Sequence, residues 1–341
     1  MWMSYSVPMH VPCTLPSSSS TEEESESESE SIAYRVMRTV WVPWQRKRRL
    51  VREQERTLAT RRSACLDAGF RHAAVLRRDG GVACWGLNGD GQAPPDGVEG
   101  DFVAIAAGSL HSLALRRDGN VACWGSNDNG LAPPDGVDGD FVAISAGTIH
   151  SIALRRNGNV ACWGRNDDGQ APPDGVEGDF VAIAAGNQHS LALQRNGNVA
   201  CWGHNGYGQA PPDGVEGDFV AIAAGGAHSL ALTRNGNVAC WGSNYNGLAP
   251  PDGVDGDFVA ISAGTIHSIA LRRNGNVACW GRNDDGQAPP GGVEGDFVAI
   301  AAGGRHSLAL RRNGKVACWG DNDDGQAPPD GVHGPFKTPE V

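Results

Sequence analysis

The chain is 341 residues long, 20% of them charged, with 48 glycines, 20 prolines and a net charge of −11. No apolar run is long enough to cross a bilayer as a helix. An acidic chain also offers duplex nucleic acid no binding face over its whole extent, because phosphate contact needs clustered positive charge. The charge is unevenly spread: residues 1–30 carry six glutamates and no Lys or Arg, residues 31–62 carry ten Lys and Arg against Glu53 and Glu55, and the remainder carries −13 by difference.

Residues 1–31 form a leader. Met1–Pro16 lacks the basic start and apolar run of a secretory signal, and Ser17–Ser31 alternates Ser with Glu and has almost no apolar content, so disorder is expected. Residues 32–60 form a basic arm. After Pro43, Trp44, Val51 and Leu58 recur at seven-residue spacing among good helix formers, which predicts a helix with one apolar face. The cluster Arg46, Lys47, Arg48 and Arg49 has three open readings: an arm that docks on the rest of the chain, a nuclear-import signal, or a contact to nucleic acid or a membrane surface. If nucleic acid binds at all, it is expected here.

From residue 61 to 333 the chain repeats itself every 39 residues, seven times and without insertion. Cys-Trp-Gly marks each copy, at Trp85, Trp124, Trp163, Trp202, Trp241, Trp280 and Trp319, and a histidine keeps the same register at His72, His111, His150, His189, His228, His267 and His306. A unit of this size cannot bury its own apolar face and must stack on its neighbours. Phe102–Ala107, His111–Arg116 and Val121–Trp124 are runs of strand length. Between the last two, Asp-Gly or Asn-Gly predicts a tight two-residue hairpin with positive φ angles. The Pro-Pro segment that follows disfavours a regular central strand and leaves a fourth, irregular edge strand open. Small antiparallel sheets repeated evenly predict an all-β, seven-bladed β-propeller of 39-residue, mainly three-stranded blades, with the tryptophans packed between blades. Residues 334–341 are set apart as a stub. There Gly334-Pro335-Phe336 restarts a unit and stops, so closure by end-to-end packing or by a shared blade stays open.

No catalytic residue, cofactor or metal ligand stands out. Seven of the nine cysteines occupy equivalent positions in the repeat, which points them the same way and too far apart to bridge, so they are read as reduced and the protein as intracellular, cytoplasmic or nuclear. His111 and Ser112 are adjacent on a strand and point to opposite faces, so they cannot form a nucleophile–base pair. The Asp- and Asn-rich loops after each tryptophan lack the ligand spacing of a calcium loop.

Comparison of the copies shows where a partner would bind. They differ most in the pair before the histidine and in the residues after the tryptophan, and an up-down-up blade puts both at one end. The candidate rim is Phe70, Arg71, Leu110, Ile149, Arg165, Gln188, His204, Tyr207, Tyr245, Ile266, Arg282 and Arg305, residue types that dominate protein interfaces. Gly139–Glu177 and Gly256–Glu294 differ only at Asp174 versus Gly291, which indicates duplication of a three-unit block.

The pattern AGxxHSLALRxxGxVxCWGxNxxGQ resembles the repeats of the regulator of chromosome condensation family, whose members form seven-bladed propellers. The resemblance implies relatives with different roles: a nucleotide-exchange factor for the small GTPase Ran, repeat domains of HECT ubiquitin ligases, a plant ultraviolet photoreceptor, and, by blade length, a secreted bacterial β-lactamase inhibitor. The photoreceptor's Gly-Trp-Arg-His-Thr motif falls at Gly69–Ala73 and Gly303–Ser307, neither of which holds Trp, and the unbroken spacing leaves no place for the exchange factor's inserted wedge. The expectation is therefore a non-enzymatic, monomeric scaffold for a protein partner, such as a small GTPase or a ubiquitin-pathway protein. Exchange activity and inhibition of another enzyme are the alternatives.

Overall fold

Each repeat folds as an up-down-up sheet because its three apolar runs are joined by turns too short for any other pairing. In the second repeat, Phe102–Ala107 pairs antiparallel with His111–Arg116, which pairs antiparallel with Val121–Gly125. These are the inner, middle and outer strands of a blade. The structure, a computed structural model, describes residues 65–339; the leader, the basic arm with Arg46–Arg49 and the helix expected there lie outside the described residues. Among the described residues there are seven three-stranded sheets, one per repeat. The inner strands touch their neighbours in succession, and Leu66–Ala68 of blade 1 touches Phe297–Ala302 of blade 7, so the ring closes. This is the seven-bladed, all-β propeller that the repeat predicts. Middle strands are buried on both faces: the first five residues of His111–Arg116, the polar His111 and Ser112 included, are all buried.

The hairpin differs from the expected two-residue turn. Gly119 N–H donates to the Arg116 carbonyl (3.1 Å) and Arg116 N–H to the Asn120 carbonyl (2.8 Å), so the loop is a turn over Arg116–Gly119 followed by one left-handed glycine, Gly119 at φ 97°. Asp118 is not forced to positive φ, because its Oδ1 accepts the Asn120 N–H at 2.9 Å and holds an Asx turn. The edge strand left open by the sequence is one residue wide: Val98 and Val82 exchange two backbone bonds of 2.8 and 2.9 Å, and the same valine bridge recurs in all seven blades. The preceding Pro94–Gly97 turn needs its glycine, since a Cβ on Gly97 (φ 72°) would sit 2.2 Å from the Val82 carbonyl oxygen.

Closure uses a shared blade. Ser63 stands where other repeats have the phenylalanine that starts the inner strand, and the place in blade 1 is taken from the other end of the chain. Arg78 N–H donates to the Pro335 carbonyl (2.8 Å), Lys337 N–H donates to the Leu76 carbonyl (2.9 Å), and Phe336 bridges to Arg77 and is 2% exposed within the blade 1 core. Pro335–Lys337 thus belongs to the first blade, although the sequence sets 334–341 apart as a stub.

Neighbouring blades are stitched by side chains. Trp124 is half-buried against the blade 1 core, and its Nε1–H donates to the Gln92 carbonyl of that blade at 2.9 Å. The other six repeat tryptophans make the same bond to the preceding blade, including Trp85 to Gln326 across the closure at 3.0 Å. Ser112 Oγ also donates to the Gln92 carbonyl (2.9 Å), so it accepts from His72 Nε2 (2.9 Å), and the imidazole carries its proton on Nε2. Six histidines reach a serine of the next blade in this way. The seventh, His306, faces the closure, where Ala73 replaces the serine, and both of its ring nitrogens are buried without a partner.

Candidate protein-binding rim

The two variable sets meet, blade by blade, through one backbone bond. Leu87 N–H donates to the Arg71 carbonyl (2.8 Å), Arg165 to Ile149 (2.9 Å), His204 to Gln188 (2.8 Å), Arg282 to Ile266 (2.9 Å) and Asp321 to Arg305 (2.9 Å), with equivalent bonds in the other two blades. The residue before each histidine and the second residue after each tryptophan therefore lie side by side at the end opposite the Gly119-type turns.

The rim stands on a fixed base. Gly108 has no room for a Cβ, which would lie 2.4 Å from the His111 ring and 2.6 Å from the Gly147 carbonyl of the next blade. At Gly69, where a Cβ would lie 2.3 Å from the Gly108 carbonyl, the same close approach lets Phe70 N–H donate to that carbonyl at 3.1 Å, and similar inter-blade bonds recur at Thr148, Asn187, Gly226, Thr265 and Gly304. The loops after tryptophan are tied from beneath: Asn88 Oδ1 accepts Ala93 N–H at 2.9 Å, and buried Gln92 Oε1 accepts Asp90 N–H at 2.9 Å. Where leucine replaces that glutamine, at Leu131 and Leu248, the loop instead makes a single 3-10 turn, Asp128–Gly130 or Tyr245–Gly247, with Asn129 and Asn246 at positive φ.

On this base Phe70, Leu110, Tyr207 and Tyr245 are 41%, 36%, 64% and 74% exposed. Arg165, Gln188 and Arg305 are exposed, while Arg71, Ile149, His204, Ile266 and Arg282 are half-buried. Tyr207 and Tyr245 stand on adjacent blades, and the His204 ring lies 6.2 Å from that of Tyr207 while its Nδ1 engages Gln209 Nε2 at 2.8 Å. Arg71 pairs with Asp324 of blade 7 at 2.9 Å, and Arg305 with Asp285 of blade 6 at 3.7 Å. These aspartates carry no separate mark in the sequence, because Asp90 and Asp168 hold the same repeat position where Leu110 and Gln188 replace the arginine.

The titratable groups inside the blades are held neutral. Burial pushes the seven repeat histidines down to about 3 to 4 and the seven repeat cysteines up to about 12. Neither set is poised for acid–base or thiolate chemistry near neutrality.

The pattern of the regulator of chromosome condensation (RCC1) repeat matches residues 64–92, 102–131, 141–170, 180–209, 219–248, 258–287 and 297–326, more than half of the chain. The chain belongs to the RCC1 repeat family. No curated protein sequence matches it. Among solved structures, this RCC1-repeat chain is similar to the CRINKLY WD40 ectodomain of the Arabidopsis thaliana receptor kinase ACR4, with 23% identity and a TM-score of 0.63 over 78% of this chain and 98% of that one. It is also similar to the entire ectodomain of the Physcomitrella patens receptor kinase CR4, with 26% identity and a TM-score of 0.61 over 76% and 73% of the two chains. A third similar structure is Prp20p of Saccharomyces cerevisiae, described with its binding to Gsp1p and histones, with 20% identity and a TM-score of 0.58 over 72% and 81%. Among the described residues no helix is long and apolar enough to cross a membrane.

Proposed function

We propose that this protein is a non-catalytic binding module whose variable rim docks a protein partner, acting as a monomer in the cytoplasm or nucleus. The observation that carries the reading is the pairing of both variable sets at one end of every blade on a hydrogen-bonded base. Four large apolar or aromatic side chains stand exposed there. Residues of these types act as interface anchors when their surroundings are pre-organised. The reduced repeat cysteines support an intracellular compartment.

Tyr207, Tyr245 and Arg305 make no contact within a blade core, so replacing all three with Ala leaves the melting temperature within about 2 °C, on the order expected for surface changes. The same variant loses at least tenfold of the affinity for any partner captured by the full chain. Undiminished affinity assigns the partner to another surface.

A second reading, a regulator of a small GTPase, rests on the similarity to Prp20p, which is described with its binding to Gsp1p. It requires accelerated nucleotide release from a GTPase in the presence of the full chain.

A further inference from the structure

The Gly119-type turns follow one charge pattern in six blades and break it at the closure. Arg117 pairs at 2.8 Å with Asp101, the residue before the inner-strand phenylalanine, and five other blades repeat the pair. In blade 1 the place of that aspartate is taken by Pro335: Arg78 N–H donates to the Pro335 carbonyl at 2.8 Å, as Arg117 N–H donates to the Asp101 carbonyl at 3.2 Å. Arg78 thus faces a residue without a carboxylate. Its Nε–H donates to the Phe336 carbonyl at 3.2 Å, which leaves the two terminal guanidinium nitrogens as donors for another group.

Three neighbouring positions depart in the same direction. His333 stands where the other six repeats have Glu or Asp, Lys337 where they have Val, and Lys315 where five of them have Asn. The chain has three lysines, Lys47, Lys315 and Lys337, so two of them lie at the closure. Lys315 also forfeits a bond: Asn120 Oδ1 accepts Gly139 N–H at 3.0 Å and four other blades repeat this, whereas an ammonium group cannot accept. A Cβ on Gly314 would lie 3.6 Å from the Gly334 carbonyl oxygen and 4.0 Å from that of Phe336, the oxygen to which Arg78 donates. The blade 7 turn, the segment from Gly334 to Lys337 and Arg78 therefore share one stretch of surface. Arg78, Arg312, His333 and Lys337 are exposed and Lys315 is half-buried. Among the described residues none of Arg78, Arg312, Lys315 and Lys337 stands in an ion pair. Asp79 and Asp296 are held by Arg77 and Arg311, Asp330 is exposed in the turn before His333, and Glu340 lies outside the described residues.

We propose that this closure patch docks an extended acidic segment of a partner protein, whose Glu or Asp carboxylates lie along Arg78, Arg312, Lys315 and Lys337. Two acidic positions lost and two lysines gained, all on one surface of an otherwise repeating ring, shift its charge in a single direction. An extended chain advances about 3.3 Å per residue, so six residues cover about 20 Å and run from the blade 7 turn across Arg78, without the four cations having to meet at one atom. Guanidinium donors suit carboxylates, which they can hold with two parallel bonds. The patch is bounded by turns whose arginines are already paired, Arg117 with Asp101 in blade 2 and Arg272 with Asp257 in blade 6. That leaves a short track, unlike the long run of phosphate contacts on which duplex binding depends. The surface lies at the end opposite the variable rim, so it stands whatever the rim binds.

The test is lysine footprinting of the full chain by acetylation, in which only three side chains report. With end-capped hexaglutamate at about 20 mM salt, Lys315 and Lys337 are both expected to react about threefold or more slowly, and to recover their free rates at about 200 mM salt. An unchanged rate at either of them overturns the proposal. Lys47 is the internal control: protection confined to it assigns the peptide to the basic arm and also overturns the proposal. Pro335→Asp restores the residue that six repeats carry and gives Arg78 a partner, so protection of both lysines is expected to fall by about half or more. Undiminished protection in that variant contradicts the docking site, and His333→Glu decides the same point if Pro335→Asp does not fold. Stronger protection by single-stranded oligothymidylate of equal charge assigns the patch to nucleic acid instead and overturns the proposal.

Discussion

At the residue scale, the fold rests on polar pairs that cross from blade to blade. His72, Ser112, Gln92 and Trp124 converge on one junction, and only the closure lacks the serine. Ala73→Ser supplies the missing hydroxyl to His306 and should raise unfolding stability by about 1 kcal/mol, the net worth of a buried hydrogen bond. Ser229→Ala removes the partner of His189 and should cost about 1 to 3 kcal/mol for the group left unsatisfied. Urea titration measures both; destabilisation by Ala73→Ser would show that the closure has no room for the bond. The histidines also set the acid limit. Their folded pKa lies near 3 to 4 against 6.5 unfolded, so the unfolded chain binds more protons between these values. The stability they contribute is complete above pH 6.5 and is lost as pH falls, by up to about 1.4 kcal/mol per pH unit for each residue. Asp67, raised to about 6, works in the opposite direction but is one group against seven. Cooperative unfolding, followed by tryptophan fluorescence, is therefore expected at a pH above about 4. The histidine and tryptophan periods were legible in the sequence. Their partners were not, because serine and glutamine come from the adjacent repeat, at separations that only the stacked ring brings together.

At the element scale, strand bounds were legible because each blade strand is a short apolar run between turn residues. The hairpin departs from the two-residue turn because Asp-Gly and Asn-Gly suit both that turn and the longer one; the Asx bond to Asp118 selects the longer. Blade 1 shows why the degraded start of the first repeat is tolerated: Pro335–Lys337 supplies backbone partners to Leu76 and Arg78. Phe336 is 2% exposed, so Phe336→Ala should cost about 3 kcal/mol or more, as truncation of a buried aromatic does. Amide hydrogen exchange should then quicken first at Arg78 and Lys337, with blades 3 to 5 unaffected. Uniform quickening around the ring would show instead that the blades unfold as one unit.

At the scale of the whole molecule, closure gives seven nearly equal blades two distinct ends. The Gly119-type turns carry repeated Arg–Asp pairs such as Arg117–Asp101 and Arg195–Asp179, which are exposed and of little energetic consequence. The opposite end carries the differences between repeats, including the Tyr207 and Tyr245 pair on adjacent blades. The sequence located this rim from variation among its own copies. It did not show that Asp67, Ser145 and Ser262 accept backbone N–H groups of the next blade, because they sit within the inner-strand runs that read as packing. The most direct measurement places a photo-crosslinking amino acid at Tyr207 on the rim and, separately, at Asn196 in an exposed turn at the opposite end, and maps the covalent products formed with the bound partner. The rim position is predicted to crosslink and the turn position to remain unreacted; crosslinks confined to Asn196 would contradict a rim-binding propeller.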